Sequence, residues 1–281
     1  MENKYISPKN LEELYKALQQ KDKNTYVIAG GTDLCIKLIK NQVFDYKIID
    51  ISKVEELRNI QETNDTIDIG ACVTMTELED NVIVQKNIPA LISAAYNLGS
   101  TQIRNRATIG GNLANAAQCG DTIPVLFAYD ADIKILNSNN KYRIEKVRDL
   151  VTGIGKTTLK ADEIITNIII KKSDYMSSFA KVGSRKTVTI SKINCCGKFN
   201  IDNDCIIQEA EIYMGAVGIK PIKATIIENE LLGKKLDSIN INLEEAVQTQ
   251  IESVIPDRSS KHYKKVAAIG IVEDMLHGLR R

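Results

Sequence analysis

The sequence predicts an α+β protein in two parts that join near residue 175. Three observations carry this. An apolar run at residues 26–29 leads into Gly30-Gly31-Thr32 and a short helical segment, and a strand at 46–51 completes a small β-loop-α-β unit. A second glycine pair, Gly110-Gly111, follows the basic lead-in Thr101-Gln102-Ile103-Arg104-Asn105-Arg106. Beyond the join, three strand-like runs come in succession and helical segments close the chain, the order of a separate α+β domain.

Whole-chain quantities narrow the function. At 281 residues the chain exceeds the usual size of one domain, so two are expected, each large enough to bury a core. The 37 basic and 36 acidic residues balance to a net charge of +1, which leaves no basic field for nucleic acid or an anionic membrane. The scattered Lys and Arg read as a solvated surface. No run reaches the ~20 apolar residues that span a bilayer, and the longest aliphatic cluster is broken by Thr166 and Asn167. Met1-Glu2-Asn3-Lys4-Tyr5-Ile6 holds no apolar segment of a secretory leader, so a cytoplasmic protein is expected. Six cysteines, at 35, 72, 119, 195, 196 and 205, make no Cys-x-x-Cys pair, and the two histidines, His262 and His277, stand near the C-terminus. Buried reduced thiols are preferred to a zinc or iron–sulfur site.

Taken in order, Ser7-Pro8-Lys9-Asn10 starts a helix, with Ser7 or Asn10 as cap and Leu11, Leu14, Tyr15 and Leu18 at helical spacing. The strand at 26–29 runs into the first glycine pair, 34–39 form a turn or two of helix, and 46–51 the next strand. Glycines at the carboxyl end of a strand stand where α/β sheets hold ligands. Thr66-Ile67-Asp68-Ile69-Gly70 alternates like a half-buried strand. Thr74-Met75-Thr76-Glu77 has capping-box spacing and starts a helix through Glu79. Residues 89–98 read as a helix with Pro89 in its first turn and Gly99 past its end. After the second glycine pair come Cys119-Gly120-Asp121-Thr122-Ile123-Pro124, a helix over 125–129, a strand over 131–136 and its turn. Gly155-Lys156-Thr157 imitates the end of a phosphate loop, but the first glycine of that motif would fall on Leu150, and neither a strong strand nor a long helix flanks it. Residues 164–170 are a strand. Strands are then expected from 179–182, over 193–201 and over 206–214, the last two joined by Asp202-Asn203-Asp204. Helices are expected over 224–231, 243–251 and 260–279.

The glycine pairs carry the chemistry. Lacking Cβ atoms, Gly110 and Gly111 can reach φ > 0 and let a ligand lie against backbone. Successive N–H groups in such a turn form a nest for an anion, most often a phosphate. Thr108, Asn112 and Asn115 add side-chain donors, while Arg104 suits bracing the loop or facing a partner. Ala29-Gly30-Gly31-Thr32-Asp33-Leu34 repeats the chemistry upstream, with the Asp33 carboxylate expected to cap the helix after it. A lone Gly-Gly is more often a plain turn. Two pairs beside Thr and Asn or Asp point instead to two clamps on one extended, phosphate-bearing ligand. No G-x-G-x-x-G occurs, so a Rossmann nicotinamide site is not supported.

These residues resemble the FAD-binding subunits of the molybdenum hydroxylases, the family of xanthine, carbon monoxide and nicotinate dehydrogenases, over nearly the whole chain. The resemblance rests on Ala29-Gly30-Gly31-Thr32-Asp33-Leu34, on Gln102-Ile103-Arg104-Asn105 leading to Thr108-Ile109-Gly110-Gly111-Asn112, and on Asp121 with Pro124. Gly153 to Thr158 followed by Asp162-Glu163-Ile164 also matches, as does Phe179-x-Lys181-x-Gly183-x-Arg185. It implies an N-terminal FAD-binding region of two α/β subdomains, about 1–55 and 56–174. A C-terminal domain with a three-stranded antiparallel sheet and helices would fill 175–281. The loop of Ile28, Ala29, Gly30, Gly31, Thr32, Asp33 and Leu34 and that of Ala107, Thr108, Ile109, Gly110, Gly111 and Asn112 would hold the FAD pyrophosphate through backbone N–H groups. Asn115 and Asp121, with Gly120 between them, would bond ribityl or ribose hydroxyls. Ile165 would pack on the adenine side, and Lys181 would approach the flavin.

The resemblance also assigns [2Fe–2S] clusters and molybdopterin to partner subunits, an iron–sulfur subunit and a molybdopterin-binding subunit, in a dimer of heterotrimers. Electrons would cross the clusters to FAD and pass to NAD+ or another acceptor, in a xanthine dehydrogenase-like complex, with no catalytic acid or base on this chain. Two departures stand out: Thr101 where many relatives have proline, and Thr187-Val188-Thr189-Ile190 without the acidic residue several relatives show. The chain lacks the cysteines that the benzoyl-CoA reductase branch needs for its extra iron–sulfur insertion. Two rivals stay open: a free-standing FAD-dependent oxidoreductase, and a non-catalytic binding or assembly module whose glycine pairs are only turns.

Overall fold

The computed structural model describes residues 4–236 and 243–280; Met1, Glu2 and Asn3 of the stretch read for a leader lie outside the described residues. The first lobe runs β1 (Tyr5–Ile6), α1 (Leu11–Gln19), β2 (Thr25–Ile28), α2 (Leu34–Lys40) and β3 (Lys47–Asp50). Its strands form a parallel sheet in the order β1-β3-β2. Asn10, not Ser7, caps α1, its Oδ1 accepting from Glu13 N–H at 2.9 Å. Of the residues at helical spacing, Leu14 and Leu18 are buried with Ala17, Ile49, Val54 and Leu57, while Leu11 and Tyr15 are half-buried.

The second lobe runs β4 (Ile60–Glu62), β5 (Thr66–Gly70), α3 (Met75–Glu79), α4 (Val82–Asn87), α5 (Pro89–Tyr96), α6 (Thr101–Arg104), α7 (Ile109–Asn115) and α8 (Thr122–Ala128). It continues with β6 (Asp132–Asn137), β7 (Tyr142–Lys146), α9 (Val147–Leu150), β8 (Val151–Gly153), β9 (Lys156–Thr157) and β10 (Glu163–Lys171). Five strands make an antiparallel sheet, order β4-β5-β10-β6-β7. The capping box forms in full: Glu77 N–H donates to Thr74 Oγ1 at 3.2 Å, and Thr74 N–H returns a bond to Glu77 Oε2 at 2.7 Å. α8 begins earlier than expected because Pro124 falls in its first turn, where a missing N–H costs nothing. Gly155 turns the β8–β9 hairpin at φ +64, so the Gly-Lys-Thr run is a tight turn rather than a phosphate loop.

The third lobe is a sheet of β11 (Met176–Val182), β12 (Ile193–Ile201), β13 (Ile207–Gly215) and β14 (Ile222–Lys223), antiparallel in that order. A two-residue edge strand thus extends the three expected. At the β12–β13 turn, Asp202 Oδ1 accepts from Asp204 N–H at 3.0 Å and Ile206 N–H at 2.9 Å, the Asx device that makes aspartate a turn residue. α10 (Thr225–Leu231), α11 (Leu243–Val254) and α12 (Lys261–Gly278) cover one face. The adjacent cysteines of β12 show how the sheet is sandwiched. Cys195 points into the core shared with Ile271 and Met275, and Cys196 into the second lobe's core with Phe127 and Tyr213. Burial pushes the Cys195 thiol up to about 12. All six thiols are free, but only Cys72, Cys195 and Cys196 are buried; Cys35 and Cys205 are exposed, against the expectation for the set.

Candidate functional site

β2 ends at Ile28, and the chain turns through the first glycine pair before α2 begins. Gly31 holds φ +75, in the left-handed region that favours glycine. Gly30 is required for a different reason: a Cβ there would lie 2.0 Å from Arg106 O and 3.1 Å from Ala107 Cα, so the first two lobes meet backbone to backbone. Among the described residues, the N–H groups of Gly30, Gly31, Thr32, Asp33 and Leu34 donate to no acceptor. Cys35 is the first to find one, on Gly31 O at 3.1 Å. Contrary to the expectation from sequence, Asp33 does not cap α2 through its side chain; its backbone is already helical at φ −107, ψ −44, where the carboxylate makes no cap bond.

The second loop is built otherwise. Thr108 is the extended N-cap of α7, its Oγ1 accepting from Gly111 N–H at 3.1 Å. Gly110 and Gly111 are the opening turn of this helix rather than a φ > 0 turn. Ile109 N–H donates to Val73 O at 3.0 Å and Gly110 N–H to Ala71 O at 2.9 Å. Those donors stitch α7 to the end of β5, which corrects the expectation that they form an open nest. A Cβ on Gly110 would lie 2.5 Å from Ala71 Cβ, so this glycine serves the close packing of α7. Arg104 braces the lead-in: it lies 2.6 Å from Glu79, misaligned for a hydrogen bond, with its guanidinium 5.4 Å from the Tyr96 ring centroid. Thr101 is the first residue of α6. Proline is well tolerated at that position, so threonine there leaves the helix intact.

Between the loops lies a cleft of about 660 Å³, walled on its third side by Val188, Thr189, Ile190 and Ser191. Of the residues expected to hold a cofactor, Ile28 through Leu34, Ala107, Thr108, Gly111, Asn112, Asn115, Gly120 and Asp121 line it. Ile109 and Gly110 stand behind it, and Ile165 is not at its wall. The Ile165 side chain is buried in the second core at 4% exposure, on β10 opposite Ile135, because β10 is the covered centre of its sheet. Lys181 does not face the cleft either. Its ammonium donates to Asp121 Oδ2 at 2.7 Å, Asn97 O at 2.8 Å and Thr189 O at 3.2 Å. Asp121 lines the cleft, but its Oδ1 is already engaged by Ser191 Oγ at 2.6 Å and Asn194 Nδ2 at 2.8 Å. It is a buried hub more than a free acceptor. Lys37, Ile103 and Cys119 also line the cleft, as does the third wall. No local pattern announced them, since they reach the site through helix faces and a loop. Burial, then the nearby Asp121 charge, holds the Cys119 thiol above its usual range.

The cleft suits a dinucleotide. Five adjacent N–H groups without acceptors among the described residues offer the nest that a diphosphate needs, and the cradle excludes any side chain at Gly30. Asn112 accepts from Thr122 Oγ1 at 2.8 Å through its Oδ1, which leaves its amide NH₂ for a ligand. Asn115 receives the Lys37 ammonium from across the cleft and likewise keeps its NH₂. Among the described residues no helix is long and apolar enough to cross a membrane.

Comparison with known proteins agrees. The family model for the FAD binding domain in molybdopterin dehydrogenase matches residues 1–172, and that for the CO dehydrogenase flavoprotein C-terminal domain matches 178–279. The chain is 34% identical to a nicotinate dehydrogenase FAD-subunit of Eubacterium barkeri, over 96% of this chain and 94% of that one. It is 30% identical to a xanthine dehydrogenase FAD-binding subunit of Escherichia coli O157:H7, over 89% and 85%. It superposes on a chain of the carbon monoxide dehydrogenase from Hydrogenophaga pseudoflava with a TM-score of 0.83 at 25% identity, over 99% and 97%. With a flavin-binding domain, a matching C-terminal domain and dehydrogenase subunits as its relatives, the chain belongs to the family of FAD-binding medium subunits of the molybdenum hydroxylases, which are oxidoreductases.

Proposed function

We propose that the chain is the electron-transfer subunit of a molybdenum hydroxylase complex, receiving electrons from the [2Fe–2S] clusters of a partner and delivering them through FAD to NAD+ or another acceptor. The observation that carries this is the row of N–H groups from Gly30 to Leu34, without an acceptor among the described residues, in a loop that lines a cleft of dinucleotide scale. Those groups would hold the pyrophosphate, and the amides of Asn112 and Asn115 would bond hydroxyls beside it. Gly30 keeps the two lobes close enough for both to act on one ligand. The bound flavin supplies the redox chemistry, while the chain supplies binding, orientation and electrostatics. The molybdopterin-binding subunit chooses the substrate; xanthine dehydrogenase-like and nicotinate dehydrogenase-like complexes are the models for it. The assembly we infer is a heterotrimer, paired into a dimer of heterotrimers, in the cytoplasm, where six free thiols suit a reducing milieu. Within the chain, residues 1–174 serve as the FAD-binding domain and 175–281 as the C-terminal domain.

The test is the chromophore. The chain is purified alone and co-expressed with an iron–sulfur and a molybdopterin partner, denatured, and the released flavin identified. FAD is expected at about one per chain; no flavin in either preparation would sink the reading. Reduction of NAD+ by the substrate-reduced complex, measured at the nicotinamide absorbance, then separates NAD+ from other acceptors.

A further inference from the structure

The motif Phe179-x-Lys181-x-Gly183-x-Arg185 offers the cleft none of its charged ends, yet its polar members converge on one segment. β11 ends at Val182 and the chain rejoins the sheet at Ile193; between them, residues 188–191 form the third cleft wall. Val188 holds φ +50, a left-handed backbone that is an outlier for a β-branched residue. Such a conformation persists only where its surroundings over-determine it. Here they do. Arg185 Nε donates to Val188 O at 2.9 Å and to Thr187 O at 3.2 Å, and its Nη2 also reaches Val188 O. Lys181 takes the next carbonyl, Thr189 O, at 3.2 Å, and ties it to Asp121 and Asn97. Ser191 anchors the far end on Asp121. Gly183 lets the loop close: a Cβ there would lie 2.2 Å from Thr189 Cγ2 and 2.4 Å from Thr189 Oγ1. That Oγ1 accepts from Ser184 N–H at 3.0 Å. Three successive carbonyls, of residues 187, 188 and 189, are therefore each held by a cation from the same short motif.

We propose that Lys181, Gly183 and Arg185 are positioning residues that hold residues 188–191 as a preformed third wall of the cleft. Lys181 acts through Thr189 and Asp121 and is not itself among the residues that line the cleft. A wall set in place beforehand avoids the ordering cost that a loose segment would impose on binding. The apolar Val188 and Ile190 side chains on that wall, 45% and 76% exposed, offer a surface to a flat aromatic ring. The inference rests on FAD as the occupant.

The test uses the full chain, comparing amide hydrogen exchange over 187–191 without flavin with FAD affinity by fluorescence titration. K181M is expected to speed exchange there, and to weaken FAD, by about tenfold or more, with the β12 amides unchanged. Because K181M strands a buried carboxylate, K181M/D121N is measured beside it. Its thermal stability should recover while exchange stays fast and FAD weak, since Thr189 O still lacks its donor. R185M should loosen the same residues without disturbing Asp121. Wild-type exchange over 187–191 in both K181M/D121N and R185M would overturn the proposal, whether FAD binding changes or not. A wild-type chain that binds no FAD would instead overturn the flavin reading, because the exchange result is read without ligand.

Discussion

Gly30-Gly31 and Gly110-Gly111 stand in similar company, each beside threonine and an acidic or amide residue, yet the structure uses their donors in opposite ways. The N–H groups of Gly30 and its four successors, all residues of the cleft wall, find no acceptor among the described residues. Those of Ile109 and Gly110 are taken by Val73 O and Ala71 O, and that of Gly111 by the Thr108 hydroxyl. The first loop presents its backbone at the cleft; the second is a packing joint that brings the side chains of Asn112 and Asn115 to the cleft wall. A glycine pair therefore signals close approach, and only the surroundings tell whether a ligand or another strand approaches.

The largest expected effect is at Gly30, where the two loops touch. A Cβ there meets backbone, Arg106 O at 2.0 Å, which has no rotamer to move aside. G30A is expected to destabilise the chain by about 1–3 kcal/mol, as overpacking does, and to lose most of its FAD. Thermal melting and flavin content after purification measure both. Wild-type flavin content in G30A would show that the joint does not set the cleft.

A matched pair sharpens the contrast. Gly31 holds φ +75, so G31A is expected to cost about 1–2 kcal/mol through its left-handed backbone. A shift of that loop also turns the open N–H groups away, and FAD affinity should fall with stability. A Cβ on Gly111 meets only Thr108 Oγ1, at 2.8 Å. G111A gives up about 1 kcal/mol of capping and regains about 1 kcal/mol of helix propensity, so a near-neutral melt is expected. FAD affinity should change less in G111A than in G31A; the reverse order, measured by flavin fluorescence, would make the second loop the principal nest.

What was legible in the sequence follows the range of the interactions. The capping box at Thr74 and Glu77, the Asn10 cap and the Asp202 turn are complete within a few residues, and each stands where the spacing put it. The two glycine loops were legible as a pair for the same local reason, and they meet at one cleft. What distinguishes them was not, because the acceptors for Ile109 and Gly110 lie on another element, after β5. Ile165 reads as any strand isoleucine until β10 is seen threaded between β5 and β6. Lys181 reads as a ligand residue until Asp121, sixty residues away, claims it. The third wall has no periodic or turn signature at all, being held by cations whose targets are main-chain carbonyls.

The smallest effect can be read without changing the fold. Cys35, just beyond the first loop, is exposed, while Cys119 lines the cleft with its thiol pushed up by burial and by Asp121. The thiolate is the reactive form, so at pH 7 to 8 Cys119 holds less of it than an ordinary cysteine, and its alkylation should lag that of Cys35. Raising the pH through the usual thiol range near 8.5 and beyond should speed Cys119 steadily, since more of it ionises there. Saturating FAD should slow Cys119 several-fold and Cys35 much less, because only Cys119 is at the cleft wall. Peptide mass spectrometry of the alkylated chain gives both rates at once. Equal protection of the two thiols would mean that the ligand covers the outer face of α2 as well, and that the first loop is approached from both sides.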